Sequence, residues 1–172
     1  MRYAGSSSII RTSIKPSKYI TDLKGADLQR KAIECDGHIF LPRRDKFISK
    51  WINQKGSRTI RCLSGSKEEP HAGHGVVRPC VTRFKIGPLF SDDEQIAHQL
   101  LSELGRHAVI EKDNNSENSV FFIDISEPNQ QALDLARRNG MKKISETARM
   151  YNNAIPSLPL DRIYRVTSLE LG

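Results

Sequence analysis

The run Val120-Phe-Phe-Ile-Asp-Ile125, taken with Pro128 just beyond it, narrows the fold more than any other stretch of the chain. It is apolar except for one acid, and rich in aromatic and β-branched residues. Such a run reads as a strand covered on both faces, as strands inside a parallel or mixed sheet are. Pro128 lacks an N–H and therefore suits the first turn of a helix. That helix is expected to stop at Gly140, a natural C′ residue.

The same alternation extends on both sides. Helices are expected near Asp27–Glu34 and Arg43–Asn53, where Phe47, Ile48, Trp51 and Ile52 recur at helical spacing. Arg58–Leu63, Gly75–Val81 and Arg83–Phe90 read as strands, the last running up to Gly87-Pro88. Ser91–Leu104 carries an apolar stripe of Ile96, Ala97, Leu100, Leu101 and Leu104. Lys143–Tyr151 and Arg162–Leu171 read as two closing strands around a loop holding Pro156 and Pro159. Strands alternating with helices imply an α/β (α+β) fold: one central mixed sheet flanked by helices, finishing in an antiparallel hairpin. Residues 1–13, with the Ser-rich start Gly5 to Ser8, read as a loose N-terminal segment, and 14–172 as a single domain. The stretches 65–73 and 112–118 read as loops.

Composition removes several classes. The chain has 172 residues, and a single core of that size needs no disulfide or metal staple. No run reaches the roughly 18 apolar residues of a membrane span, and residues 1–10 do not make a secretory signal, a weak organellar presequence being the alternative left open. Cys35, Cys62 and Cys80 are odd in number and far apart, which fits neither a disulfide framework nor a zinc knuckle. His71 and His74 near Cys62 and Cys80 lack paired ligand spacing, so no metal is expected. An intracellular, cytoplasmic location is the default. The net charge of +7 is uneven. Residues 1–90 hold 18 basic and 7 acidic side chains (+11); residues 91–172 hold 9 and 13 (−4). The basic residues are scattered and lack interleaved aromatics, so nucleic acid is not the expected partner.

Several motifs together resemble the GNAT superfamily of N-acetyltransferases. Pro128-Asn-Gln-Gln-Ala132-Leu-Asp-Leu135-Ala-Arg-Arg-Asn-Gly140-Met141 is similar to that superfamily's N-x-x-A-x-x-L-Y-x-x-x-G-F segment. Ile86-Gly87-Pro88-Leu89-Phe90-Ser91-Asp92, Arg149-Met150-Tyr151, Gly75-Val-Val-Arg78 and the stretch from Asp36 through Arg44 to Trp51 resemble the C-terminal GNAT-like domain of YitH-type and nematode proteins, which have two domains. The resemblance implies acetyl transfer from acetyl-CoA to a primary amine on a small molecule or protein, by direct attack on the thioester. It implies cofactor contacts from Ile86, Gly87, Leu89 and Asn129.

Acetyl transfer also needs a route for the amine proton and an acid for the thiolate. Asp124 lies on the strand face of Val120 and Phe122, where an unpaired carboxyl would have a raised pKa and serve as base; pairing with Arg149 or another cation is the plainer alternative. The superfamily's Tyr position is occupied by Ala136, leaving Tyr151 or Tyr164 as thiolate acid. Asn129 could equally cap the helix opened by Pro128. The phosphate turn departs from the superfamily pattern: Phe90-Ser-Asp-Asp-Glu-Gln95 has no glycine, Ser91 and Glu94 form a capping box, and Asp92, Asp93 and Glu94 set carboxylates where a diphosphate would sit. A catalytically degenerate GNAT-like binding module is the alternative function on that ground.

Overall fold

Periodicity and capping account for the helices, and alternation for the sheet. The computed structural model describes residues 1–6, 19–40, 43–63, 72–81, 83–110 and 120–169. The elements in chain order are β1 (Arg2–Ser6), β2 (Ile20–Asp22), α1 (Gly25–Gly37), α2 (Asp45–Ile52), β3 (Arg58–Cys62), β4 (Gly73–Pro79), β5 (Phe84–Ser91), α3 (Glu94–Ile110), β6 (Val120–Asp124), α4 (Gln130–Arg138), β7 (Lys142–Ser145), a 3-10 turn at Leu160–Arg162 and β8 (Ile163–Arg165). The sheet order is β2-β3-β4-β5-β6-β1-β7, with β8 paired to β5. β5 and β6 run parallel; the remaining pairs are antiparallel.

Both faces of the sheet are covered, as expected for an α/β fold. Val77 of β4 packs with Ala97, Leu100, Leu101 and Leu104, the stripe of α3. Its neighbour Val76, on the opposite face by strand alternation, packs with Ala32 of α1 and Ile48, Trp51 and Ile52 of α2. α4 closes the first face through Ala132, Leu133, Leu135 and Ala136. It ends where expected: Gly140 adopts φ +61°, a left-handed conformation that costs glycine nothing. There Met141 N–H donates to Ala136 O at 3.1 Å and Gly140 N–H to Arg137 O at 2.9 Å.

Three expectations need correction. Residues 2–6 are not loose: β1 lies between β6 and β7, with Ala4 opposite both Phe122 and Lys142. Its alternation, with Tyr3 and Gly5 buried, is short and offers little apolar signal. The chain does not end in a hairpin, because β7 pairs with β1 and β8 with β5. Both closing strands are also shorter than expected, so Arg149–Tyr151 lies beyond β7 as irregular backbone. Residues 7–13, 65–71 and 112–119 lie outside the described residues.

Candidate functional site

The site begins where two parallel strands part. Phe84, Lys85 and Ile86 of β5 pair with Phe121, Phe122 and Ile123 of β6. Beyond Ile86 the partner of β5 changes: Leu89 lies opposite Arg165, and Phe90 opposite Ile163. The C-terminal segment is therefore wedged into the opening. Val166 N–H donates to Asp124 O at 2.9 Å, reaching the end of β6 from the β5 side.

The wedge is held on both flanks. On one, Asn129 stands at the N-cap of α4, its Oδ1 accepting from Ala132 N–H at 2.9 Å. Its amide nitrogen donates to the carbonyls of Leu160, Asp161 and Ile163 at 2.9–3.1 Å. Tyr164 Oη donates to Gln131 Oε1 at 2.6 Å. On the other flank, Arg44 makes a two-pronged contact with Asp36 at 2.8 Å and donates to Thr167 Oγ1 at 2.8 Å. Trp51 Nε1 donates to Gly87 O at 3.0 Å. The Asp36–Arg44–Trp51 stretch thus fastens β5 and the wedged segment together.

Ile86, Gly87, Leu89 and Asn129 do converge here, but each is occupied. Ile86 and Leu89 are fully buried within the ladder. Gly87 is pressed against Val166 O, and Asn129 is spent on the cap and on the wedge. Asp124 is fully buried and paired with neither Arg149 nor solvent. Arg2 of β1 contacts it at 2.7 and 3.0 Å, and Lys85 of β5 at 2.5 Å. Burial alone would raise its pKa; the bonds from Arg2 and Lys85 outweigh that and hold the carboxyl below its ordinary value. A carboxylate so stabilised is a weak base. The β5–β6 register sets Lys85 opposite Phe122, on the Asp124 side of the sheet, a pairing that alternation within either strand does not name by itself.

The tyrosines divide. Tyr164 is buried, with its pKa pushed up to about 12, by burial first. Tyr151 is 41% exposed and lies beyond β7, its hydroxyl accepting from Arg149 Nη1 at 3.5 Å. Cys35 is pushed up to about 12 and Cys62 is raised, both chiefly by burial, so neither offers a thiolate nucleophile.

The turn after β5 also differs from its expected chemistry. Asp93, not Ser91, caps α3: its Oδ1 accepts from Ile96 N–H at 2.8 Å. Ser91 is buried and donates to Asp93 O at 2.8 Å. Glu94 is ion-paired with Arg138, and Asp92 with Arg162 at 2.5 Å. Two of the three carboxylates are therefore neutralised by cations that the sequence placed far away. At this turn Asp92 N–H donates to Ala72 O, Asp93 N–H to Ser91 Oγ and Ile96 N–H to Asp93 Oδ1, and no glycine opens room for a diphosphate.

Arg165 escaped attention in the sequence although it interrupts an apolar strand. It is fully buried, with Nη1 on Tyr164 O at 2.5 Å and on Ala132 O at 3.4 Å, while Nε and Nη2 have no hydrogen-bond partner among the described residues. Burial pushes its pKa down to about 9. A separate cavity of about 420 Å³ beside α1 is lined by Arg30, Ile33, Glu34, Gly37, His38 and Arg43. None of the expected site residues lines it. Among the described residues no cluster of His, Cys, Asp and Glu could hold a metal ion. No described helix is long and apolar enough to cross a membrane.

Comparison with known proteins agrees with this topology. Residues 32–165 match the family model described as an acetyltransferase (GNAT) domain. No curated protein matches the chain. Among solved structures, a candidate acetyltransferase from Pyrococcus horikoshii is similar at a TM-score of 0.63 and 18% identity, over 99% of this chain and 52% of that one. A conserved protein of unknown function from Staphylococcus epidermidis gives 0.58 and 11%, over 82% and 56%. A GCN5-related N-acetyltransferase from Kribbella flavida gives 0.53 and 15%, over 77% and 32%. The chain thus spans about half the length of the first two, or less in the third, and at these identities the likeness is one of fold.

Proposed function

The chain belongs to the GNAT acetyltransferase domain family, and from that premise we propose that it transfers acetyl from acetyl-CoA to a primary amine. The observation that carries the reading is the family match across 134 positions, 32–165, together with the parting of β5 from β6 after Ile86. Within the family we place it nearest the C-terminal domain of YitH-type and nematode proteins on the motifs around Ile86 and Arg149, and in the cytoplasm on the free thiols of Cys35, Cys62 and Cys80.

In this reading the neutral amine attacks the thioester carbonyl carbon, the C–S bond breaks, and the thiolate takes up a proton. Ile86, Gly87, Leu89 and Asn129 border the acyl donor's path, which opens only when the segment from Ile163 to Thr167 yields its place along β5. Tyr151, exposed beside Arg149, is the available proton donor to sulfur. Asp124 acts by holding β1, β5 and β6 in register, because Arg2 and Lys85 keep it charged. The amine proton passes to water.

A second reading is favoured by the wedge itself and by the capped, ion-paired turn at Asp92–Glu94: a GNAT-like binding module without turnover. Calorimetric titration of the full chain with acetyl-CoA, beside desulfo- and dephospho-CoA, separates the two. Saturable heat with acetyl-CoA, followed by thiol release when an amine is added, supports the enzyme, and Tyr151→Phe then lowers kcat with KM unchanged. Binding without thiol release supports the module. No heat at millimolar acetyl-CoA sinks acetyl transfer by this chain.

A further inference from the structure

A charge taken out of water is ordinarily matched by a counter-charge. Among the described residues, the buried carboxylates, ammonium and guanidinium groups are those of Asp36, Asp124, Lys85 and Arg165. Asp36 is met by Arg44, and Asp124 and Lys85 meet each other. Arg165 differs. Among the described residues the ionisable groups that act on it are the phenols of Tyr3 and Tyr164, and no carboxylate. Those hydroxyls are themselves directed elsewhere, to Met1 Sδ and Gln131 Oε1.

The unpaired part of Arg165 has a definite shape. Nη1 is fixed by the carbonyls of Tyr164 and Ala132, which holds the guanidinium beside the first turn of α4. Nε and Nη2, without a partner among the described residues, form one edge of its plane. An Nε–H and an Nη2–H side by side match the two oxygens of a single carboxylate. The edge also stands at the right place. Arg165 lies opposite Leu89 of β5, beyond Ile86, where β6 has already left β5. Buried donors of this kind cost free energy until an acceptor reaches them.

We propose that this edge of Arg165 receives a carboxylate of the amine acceptor, so that the acceptor is an amino acid rather than a simple amine. The inference rests on the acetyl-transfer reading: an acetyl group carries no carboxylate, so the acid belongs to the other reactant. An amine on the carbon next to that carboxylate stands within the same opening. The edge meets the acceptor when Ile163–Thr167 yields its place along β5, the movement that the acyl donor also needs. A carboxylate gains its paired hydrogen bonds only in the shifted arrangement and therefore favours it.

The full chain is titrated with the common L-amino acids, each beside its own carboxamide. Emission of Trp51, the single tryptophan, reads binding, and thiol release from acetyl-CoA reads turnover. Trp51 reports the movement because its Nε1 donates to Gly87 O, and Gly87 abuts Val166. The expected result is a free acid that binds roughly tenfold or more tightly than its amide. Arg165→Met is expected to erase that margin by weakening the acid and leaving the amide unchanged, with the loss in KM rather than kcat. Its melting curve verifies the fold. A panel in which no acid precedes its amide overturns the proposal, as does a margin that persists in Arg165→Met. So does an Arg165→Met chain that loses affinity for acetyl-CoA instead, which assigns the guanidinium to the donor's phosphates. Acid-selective emission without thiol release supports the carboxylate site and sinks acetyl transfer. Thiol release with no preference for acids does the reverse.

Discussion

Gly87 lies so close to the carbonyl oxygen of Val166 that a Cβ there would fall inside van der Waals contact, with Thr167 O only 3.2 Å away. The neighbours are backbone atoms, which cannot swing aside as a side chain would. Gly87→Ala is therefore expected to displace the wedged segment and to cost about 1–3 kcal/mol. Thermal melting would fall by about 2–4 °C per kcal/mol. The single tryptophan of the sequence, Trp51, donates to Gly87 O, so its emission should shift in the same variant. Unchanged melting and emission would contradict the close approach.

Asp124 binds cations from two strands, and one of them, Lys85, is itself buried. Asp124→Asn leaves that ammonium without its counter-charge. The expected loss is about 3 kcal/mol, the low end for a broken buried pair, because Arg2 keeps part of its side chain in water. The folded pKa of Asp124 is depressed, so its contribution is present above the unfolded carboxylate value and disappears as pH falls through the folded one. The wild-type chain should lose its advantage over Asp124→Asn on acidification below about pH 4. Urea denaturation at pH 7 and pH 3 reads both outcomes.

Arg165 gives the opposite sign. Its guanidinium is buried with two nitrogens unpartnered among the described residues, so Arg165→Met is expected to raise stability at pH 7 by about 1–3 kcal/mol. With the folded pKa near 9 and the unfolded one higher, the unfolded chain holds more protons above pH 9. The wild type should gain on Arg165→Met as pH climbs from 8 to about 10.5. A gap that stays constant over that range would contradict the burial.

The cap of α3 can be assigned by comparing two neighbours. Asp93→Ala removes the acceptor for Ile96 N–H and should cost about 1 kcal/mol. Glu94→Ala removes only a partly exposed ion pair with Arg138, worth well under 1 kcal/mol. Equal losses, or a larger one at Glu94, would return the cap to the Ser91–Glu94 pattern.

Legibility tracks the range of the interactions. α3 and α4 are readable because each carries an apolar stripe at helical spacing, as at Ala97–Leu104, and because the stop of α4 at Gly140 is a local signal. The mixed sheet and the family resemblance come from element order. β1 is not readable: five residues with two glycine- and serine-level side chains carry no pattern, and their partners stand more than a hundred positions away. Long sequence separation likewise hides Arg2 and Lys85 from Asp124, and Arg138 and Arg162 from the turn at Asp92–Glu94. Spacing in sequence says that Asp124 is an acid on a strand; only the sheet order says which cations neutralise it.

The placement of β1 carries a consequence for how the chain acquires its shape. Residues 2–6 emerge during synthesis long before Val120–Asp124 and Lys142–Ser145, the strands they must join. Until both have appeared, the parts of the sheet already made have no means of closing around that strand. Closure of so long a loop is slow, and the waiting segment is open to wrong partners. Maturation of this chain is thus governed by its last third, and a pause in translation before residue 145 would leave β1 stranded.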